Sequence, residues 1–125
     1  MVYLIDTNVI IRFLVGDHEA HLKQATDIFL KIENGEIEAE ILDTVLMEAF
    51  FVLVKFYKLP KEEVIEDFKR LIALRGITGD KVILIETLTI VKEKNIDFVD
   101  ALICAKSRLQ GYGKLSFDED VNKKC

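Results

Sequence analysis

Short apolar runs and segments of helical period alternate along this chain. Residues 2–5 form an apolar run typical of a strand buried on both faces, and residues 39–42, 82–85 and 114–117 are the other segments that we predict as strands. Between them, apolar positions recur at three- and four-residue spacings. The pattern therefore predicts strands separated by helices.

Residues that commonly begin or end helices bound the helical segments. Asp6-Thr7-Asn8 begins the first helix, and Asp17 is predicted to cap a second that ends near Asn34-Gly35. Asp43 or Thr44 caps an apolar helix reaching about residue 59, and Asp97 caps the last. The predicted helices after Pro60 cover residues 61–74, 87–94 and 98–109.

A strand-helix alternation of this kind indicates right-handed crossovers and a parallel sheet between helical layers. We therefore expect an α/β fold, a three-layer α/β/α sandwich with a central, mainly parallel sheet of four or five short strands. The length of 125 residues suits one compact domain spanning residues 1–125.

Composition and charge argue against some classes of protein for this sequence. The net charge of −5 disfavours sequence-independent coating of nucleic acid, which is driven by Lys and Arg. No apolar run is long enough to span a bilayer, and the first residues lack the features of a signal peptide, so a cytoplasmic location is expected. Cys104 lies in an apolar helical pattern and Cys125 at the end of the sequence, and we expect both to be reduced thiols.

Four acidic residues stand out, and three of them are the only charges in their stretches. Glu48 is the only charge in VLMEAFFVLV (45–54), and Asp100 is the only one in FVDALICA (98–105). Asp6 separates VYLI from TNVII, and Asp118 follows the last predicted strand. Parallel strands end, and the next helices begin, at one edge of a sheet, where ligands bind in open α/β folds. We therefore expect the four carboxylates to converge there.

Converging carboxylates require a counter-charge. Each pair at ~4 Å repels by about 4 kcal/mol at an effective dielectric near 20. Mg²⁺ and Mn²⁺ prefer carboxylate oxygens, whereas zinc favours a His and Cys set that the sequence does not present. Metal ions held this way beside a groove activate water and stabilise a departing phosphodiester oxygen, as in metal-dependent nucleases.

Each acid also has an ordinary structural explanation. Asp97 and Asp100 have the spacing of a capping box, and Asp6 can simply begin a helix. Asp118 can be solvated surface in an acidic turn, and Glu48 can form a structural ion pair. Their joint placement at one edge is what favours the functional interpretation.

The stretches LIDTNVII, Glu48 after the Thr44 helix start, DFVDALICA (97–105) and LSFDED (115–120) together resemble the four acidic motifs of PIN-domain ribonucleases. The order and spacing agree over almost the whole chain. Small proteins of this kind resemble the toxins of VapBC toxin–antitoxin modules. The resemblance implies an α/β/α sandwich, a Mg²⁺- or Mn²⁺-dependent endoribonuclease, a homodimer, and an antitoxin whose C-terminal segment covers the acidic groove.

By this resemblance the four acidic positions, which are catalytic and hold metal, are Asp6, Glu48, Asp100 and Asp118. Thr7 and Asn8 are the supporting polar residues after the first motif, and Ser116 stands where the family often has Thr. Asp97 is interpreted as a helix cap and Asp120 as surface. Basic residues near the expected edge that could hold RNA phosphates are Lys106, Arg108 and Lys114.

The other patterns in the sequence are weaker evidence for a function. His18 and His21 lack a third metal ligand and suit a solvated helix face, and Gly111-Tyr112-Gly113 is a helix-ending turn rather than a phosphate cradle. A haloacid-dehalogenase-type phosphatase needs a second acid two residues after the first, where this chain has Asn8. The remaining alternative is a non-catalytic PIN-like domain that binds metal or a basic partner.

Overall fold

The computed structural model describes residues 1–125, which form two compact units, Met1–Gly79 and Asp80–Cys125. The first unit contains all the strands and four helices, and the second contains two long helices and a short C-terminal turn of helix. None of the helices combines the length and apolar character that a membrane crossing requires.

The sheet of the first unit is parallel and has three strands in the order β1-β2-β3. These are β1 (Val2–Leu4), β2 (Glu38–Glu40) and β3 (Ile77–Thr78). In the register, Leu4 pairs with Glu40, and Glu40 pairs with Thr78. All three strands therefore end at the same edge.

The helices of the first unit connect these strands. They are α1 (Thr7–Val15), α2 (Glu19–Glu33), α3 (Asp43–Phe51) and α4 (Lys61–Ile72), with a π-helical turn over Val52–Phe56 that continues α3. Fully buried side chains from α1, α2, α3 and α4 supply its core, among them Ile10, Ile32, Leu46 and Phe68. Helix α1 packs against both α2 and α3.

The second unit is a helical pair, α5 (Lys81–Lys94) and α6 (Phe98–Gln110), followed by a π-helical turn over Asp120–Lys124. Helices α5 and α6 pack along each other, and the C-terminal turn packs on α6 with Val121 buried. Residues 111–119 between them contain no strand and no long helix.

The predicted α/β sandwich class is confirmed, and so is the parallel sheet, but the predicted number of strands is wrong. Residues 82–85 belong to α5, and residues 114–117 form no strand. The side chains of Leu115 and Phe117 in that segment are fully exposed, at 103% and 108%. The third strand instead lies at Ile77–Thr78, within the predicted glycine loop.

Helix α5 includes residues 82–85 because its buried positions follow a helical period. Ile83, Thr87 and Val91 are buried one turn apart, and the Thr87 hydroxyl donates a 2.7 Å hydrogen bond to the Ile83 carbonyl oxygen. Asp80 supplies the N-cap, its carboxylate accepting a hydrogen bond from the Ile83 amide at 3.2 Å. A run of four aliphatic residues fits either element, and the Asp80 cap favours the helix.

We expect Asp80→Ala to lower the free energy of unfolding by about 1 kcal/mol, because the substitution leaves an amide of the first turn without its acceptor. Asp80→Asn keeps an acceptor oxygen and serves as the matched control. Chemical denaturation of the three proteins checks this. Equal stabilities for the alanine variant and the parent would show that the cap contributes nothing.

Two other predicted helix starts are corrected by one or two residues. His18, and not Asp17, is the N-cap of α2, and its Nδ1 accepts a hydrogen bond from the His21 amide at 3.2 Å, whereas Asp17 pairs with Arg12 at 3.5 Å. Leu42, and not Asp43 or Thr44, occupies the N-cap position of α3, without a side-chain cap. The histidines thus help begin a helix on the exposed surface.

The prediction of two reduced cysteines is wrong. Cys104 of α6 and Cys125 are joined by a disulfide, with their Cα atoms 5.4 Å apart. The two residues are 21 positions apart, and they meet because the C-terminal turn folds back on α6. Their spacing in the sequence does not indicate that the C-terminal turn folds back on α6.

Candidate functional site

Asp6 stands where β1 ends and α1 begins. The buried Ile5 closes the strand by donating its amide to the Glu40 carbonyl oxygen at 3.2 Å, and Asp6 then takes the extended N-cap conformation of α1. Its carboxylate makes no cap hydrogen bond and is exposed. The explanation of Asp6 as a simple helix cap is therefore not supported.

Glu48 lies on the second turn of α3 and is exposed, although every neighbour in its stretch is apolar. Only one side of the helix is buried, through Leu46 and Ala49. The almost uniformly apolar stretch around Glu48 therefore lies only partly in the core. None of the ion pairs of the chain involves Glu48, so a structural salt bridge does not explain it either.

Glu48 shares a cleft with two of the predicted polar residues. The cleft has a volume of ≈ 400 Å³, and Thr7, Asn8 and Arg12 of α1 line it together with Glu48. Its other walls are apolar or aromatic: Ile11, Phe51, Val52, Phe56 and Tyr57. Phe51 and Phe56 are strongly exposed, at 63% and 75%. The first unit thus places an unpaired carboxylate beside an open aromatic surface.

Asp100 lies in the first turn of α6 and is partly exposed. Asp97 takes the N-cap position, as predicted, but its side chain makes no cap hydrogen bond, and the first amide bonded there, that of Ala101, donates to the Asp97 carbonyl oxygen at 2.9 Å. The capping box that could have explained Asp97 and Asp100 does not form.

Asp118 is held by a small hydrogen-bonded turn. Its amide donates to the Ser116 hydroxyl oxygen at 2.9 Å, and its carboxylate accepts from the Asp120 amide at 2.7 Å. Asn122 closes the turn, donating its side-chain amide to the Ser116 carbonyl oxygen at 2.9 Å. Asp118 is therefore oriented by these hydrogen bonds and not by a preceding strand.

The carboxylates of the second unit form one cluster. One oxygen each from Asp100, Asp118 and Asp120 lie within 4.8 Å of one another. No Lys or Arg pairs with Asp100 or Asp118, whereas Asp120 pairs with Lys124 at 3.4 Å. Three carboxylates this close form a donor set for a hard divalent cation such as Mg²⁺ or Mn²⁺. The residues present thus fit a metal of that class.

The electrostatics of the cluster are visible at Asp100. Its partial burial, and then the negative charges of Asp118, Asp97 and Asp120, raise the pKa of the Asp100 carboxyl above its ordinary value of 3.8. A bound cation would act in the opposite direction, since it favours the ionised form.

We expect this raised pKa to appear in the pH dependence of stability of the metal-free protein. The folded state holds the Asp100 proton more tightly than the unfolded state does. The stability gained from this proton is complete below pH 3.8 and is lost as the pH rises through the pKa of Asp100 in the folded state. Asp118→Asn removes one of the repelling charges and should lower the pKa of Asp100. Denaturation at a series of pH values checks this, and an Asp100→Asn variant with the same pH dependence as the parent would contradict it.

The comparison with known families agrees with this geometry. The family model of the PIN domain matches residues 3–125 of the chain. The chain belongs to the PIN-domain family. Proteins with a PIN domain are typically nucleases, and this membership indicates a hydrolase that acts on nucleic acid. No curated protein matches the chain significantly, and neither does any solved structure.

In this PIN domain the predicted site residues fall into two groups. Glu48 lies with Thr7 and Asn8 at the aromatic cleft of the first unit, and Asp6 immediately precedes Thr7. In the second unit, Asp100 and Asp118 lie together, and Ser116 supports Asp118. That all four acids act in one site stays a prediction.

Asp120 is the residue that our sequence reasoning missed. We interpreted it as surface, yet it joins the cluster and its amide fixes the Asp118 side chain. The Asp-x-Asp spacing of residues 118–120 was the available signal, because acids two residues apart in a turn can share one ligand.

The predicted phosphate-binding residues of the PIN domain all lie in the second unit. Lys106 and Arg108 are on α6, and Lys114 is in the loop that follows. Arg108 pairs with Glu86 of α5 at 3.6 Å and remains 40% exposed. Whether they contact nucleic acid stays a prediction.

Proposed function

We propose that this PIN domain is a metal-dependent endoribonuclease and the toxin of a type II toxin–antitoxin module. The observation that supports this most is the cluster of Asp100, Asp118 and Asp120, with carboxylate oxygens within 4.8 Å of one another. Asp100 and Asp118 lack any cationic side chain as a partner. Such an arrangement is costly unless a cation neutralises it.

Within this proposal, Asp100 and Asp118 are the main ligands of Mg²⁺ or Mn²⁺, and Asp120 is an additional ligand. When bound, such an ion lowers the pKa of water and stabilises the oxygen that leaves the phosphodiester. The Ser116 hydroxyl keeps Asp118 oriented through its hydrogen bond to the Asp118 amide. Asp6 and Glu48 of the first unit supply the remaining acids of the reaction.

The RNA backbone is proposed to be bound by Lys106, Arg108 and Lys114. Lysine and arginine contribute most of the affinity for phosphates, and they do so without reading the sequence. Because the whole chain is acidic, at −5, binding would depend on these few cationic side chains. We therefore expect RNA affinity to fall steeply with salt.

The aromatic cleft is proposed to receive the C-terminal segment of an antitoxin. Its exposed Phe51 and Phe56 offer an apolar surface, and Glu48 offers a negative charge beside it. A segment with apolar side chains and one basic residue would complement both features. Occupation of this cleft would cover Glu48 and inhibit the enzyme, and the toxin is proposed to act as a homodimer.

Cleavage of RNA with and without metal tests this function. The purified protein should cut structured RNA in Mn²⁺ or Mg²⁺, lose that activity in EDTA, and leave DNA of the same sequence intact. Equal cleavage of RNA and DNA would contradict the ribonuclease assignment. Binding of Mn²⁺ without cleavage of total cellular RNA would favour the non-catalytic alternative.

A further inference from the structure

The disulfide and the acidic cluster are built on the same two pieces of chain. On α6, Asp100 and Cys104 are four residues apart and therefore lie on one face of the helix. On the C-terminal turn, Asp120 begins the helical segment and Cys125 follows its last residue. The two pieces thus meet twice, once through the carboxylates and once through the sulfur atoms.

The segment that carries Asp118 and Asp120 has few other attachments to α6. Its hydrogen bonds and ion pairs run within residues 116–124, including Lys123 to Glu119 at 3.3 Å and Lys124 to Asp120 at 3.4 Å. Val121 alone buries a large apolar side chain in the segment. The preceding residues 114–117 form no strand. The disulfide is therefore the main restraint on this segment besides Val121.

The restraint works against electrostatic repulsion. One oxygen each from Asp100, Asp118 and Asp120 lie within 4.8 Å of one another, so without a cation the repulsion among these carboxylates pushes the segment away from α6. A covalent bond at Cys104 limits this displacement, because its Cα atom and that of Cys125 stay 5.4 Å apart. A cation then meets ligands that are already assembled and need less ordering on binding.

We propose that the Cys104–Cys125 disulfide is a positioning pair for the metal site, holding Asp118 and Asp120 against Asp100 so that cation affinity depends on the bond. This inference rests on the proposed metal-dependent function. Reduction proceeds by exchange with a dithiol. Both sulfur atoms become thiols as each gains a proton and an electron, and the dithiol is oxidised to its cyclic disulfide. The freed segment then binds the cation at an ordering cost.

Calorimetric titration with Mn²⁺ tests the inference on four samples: the oxidised protein, the protein reduced with dithiothreitol and desalted without oxygen, Cys125→Ser, and Glu119→Gln. Glu119→Gln removes a charge from the same segment but keeps the disulfide, and it serves as the matched control. We expect affinity to fall by about tenfold or more in the reduced and Cys125→Ser samples, at unchanged stoichiometry, and to stay within about twofold in the control.

Amide hydrogen exchange adds a readout that does not depend on metal. In the metal-free samples, the amides of Asp118 and Asp120 should exchange faster once the disulfide is lost, while those of α5 stay protected, which also shows that the variant folds. Equal Mn²⁺ affinity with and without the disulfide would overturn the inference alone. Failure of the oxidised protein to bind Mn²⁺ through Asp100, judged with Asp100→Asn, would overturn the proposed function and this inference with it.

Discussion

Asp100→Asn is expected to lower metal-dependent RNA cleavage by about 100-fold or more, and to weaken Mn²⁺ binding at least as much. Asp100 contributes an oxygen to the three-carboxylate cluster and has no Lys or Arg partner. The amide keeps the shape of the side chain but removes its charge, and changes in the surroundings of metal ligands alone typically cost 10–100-fold. Single-turnover cleavage of a labelled RNA, with Mn²⁺ at several concentrations, measures both effects.

Asp97→Asn is the matched control for this experiment. Asp97 lies three residues earlier, at the start of the same helix, and its carboxylate makes no cap hydrogen bond. It is not part of the cluster of Asp100, Asp118 and Asp120. Cleavage in the control should stay within about threefold of the parent, since one charge nearby changes the local potential only modestly. Equal losses in both variants would show that general charge, and not ligation, is responsible.

Glu48→Gln is expected to lower cleavage by about 10–100-fold while leaving the free energy of unfolding unchanged. Glu48 is exposed and takes part in no ion pair, so its loss removes no interaction that supports the fold. Its proposed role is in the reaction, as an acid of the first unit. Cleavage rates and denaturation curves of the variant, compared with those of the parent, separate an effect on the reaction from an effect on stability.

An exposed glutamate elsewhere in the first unit provides the control. Glu33 ends α2 and is also exposed, and Glu33→Gln removes the same charge from the unit away from the cleft. Cleavage by this variant should match the parent. If Glu48→Gln retains full activity as well, the acids of the second unit suffice and the four-acid proposal is wrong.

Much of the fold was predictable because its signals are local. The apolar spacing of residues 22–32 predicted α2, and its end near Asn34-Gly35 agrees with the structure. The left-handed conformations at Gly16 and Gly111 occur at helix ends, as glycines there commonly do. These helix ends depend on neighbours within a few residues. The parallel sheet pairs residues far apart in the sequence, such as Val2 and Glu38, and was inferred from the strand-helix alternation.

The errors arose where the decisive interaction is distant or ambiguous. Residues 82–85 carry equal strand and helix signals, and the Asp80 cap decided between them. Residues 114–117 have an alternating pattern, but a strand forms only where a partner strand is available. The exposure of Glu48 depends on which side of α3 faces the core, and an almost uniformly apolar sequence does not specify that side.

The residue types of the candidate site were predictable, but which acidic residues belong to it was not. Asp100 was indicated as the only charge in an apolar stretch, because a charge in such surroundings requires a reason, and Asp118 was indicated by its position after the last predicted strand. Asp120 looked like ordinary surface within an acidic turn, and only the fold-back onto α6 brings it to Asp100. The disulfide depends on the same fold-back and was missed for the same reason.

Asp100 and its acidic neighbours are proposed to hold a divalent cation. A crystal structure of the oxidised protein grown with Mn²⁺, with anomalous diffraction used to locate the metal, tests it most directly. We expect an anomalous peak within coordination distance, about 2.0–2.3 Å, of carboxylate oxygens of Asp100 and Asp118. A Mn²⁺-saturated crystal with no peak there, or with a lysine or arginine neutralising these carboxylates instead, would contradict it.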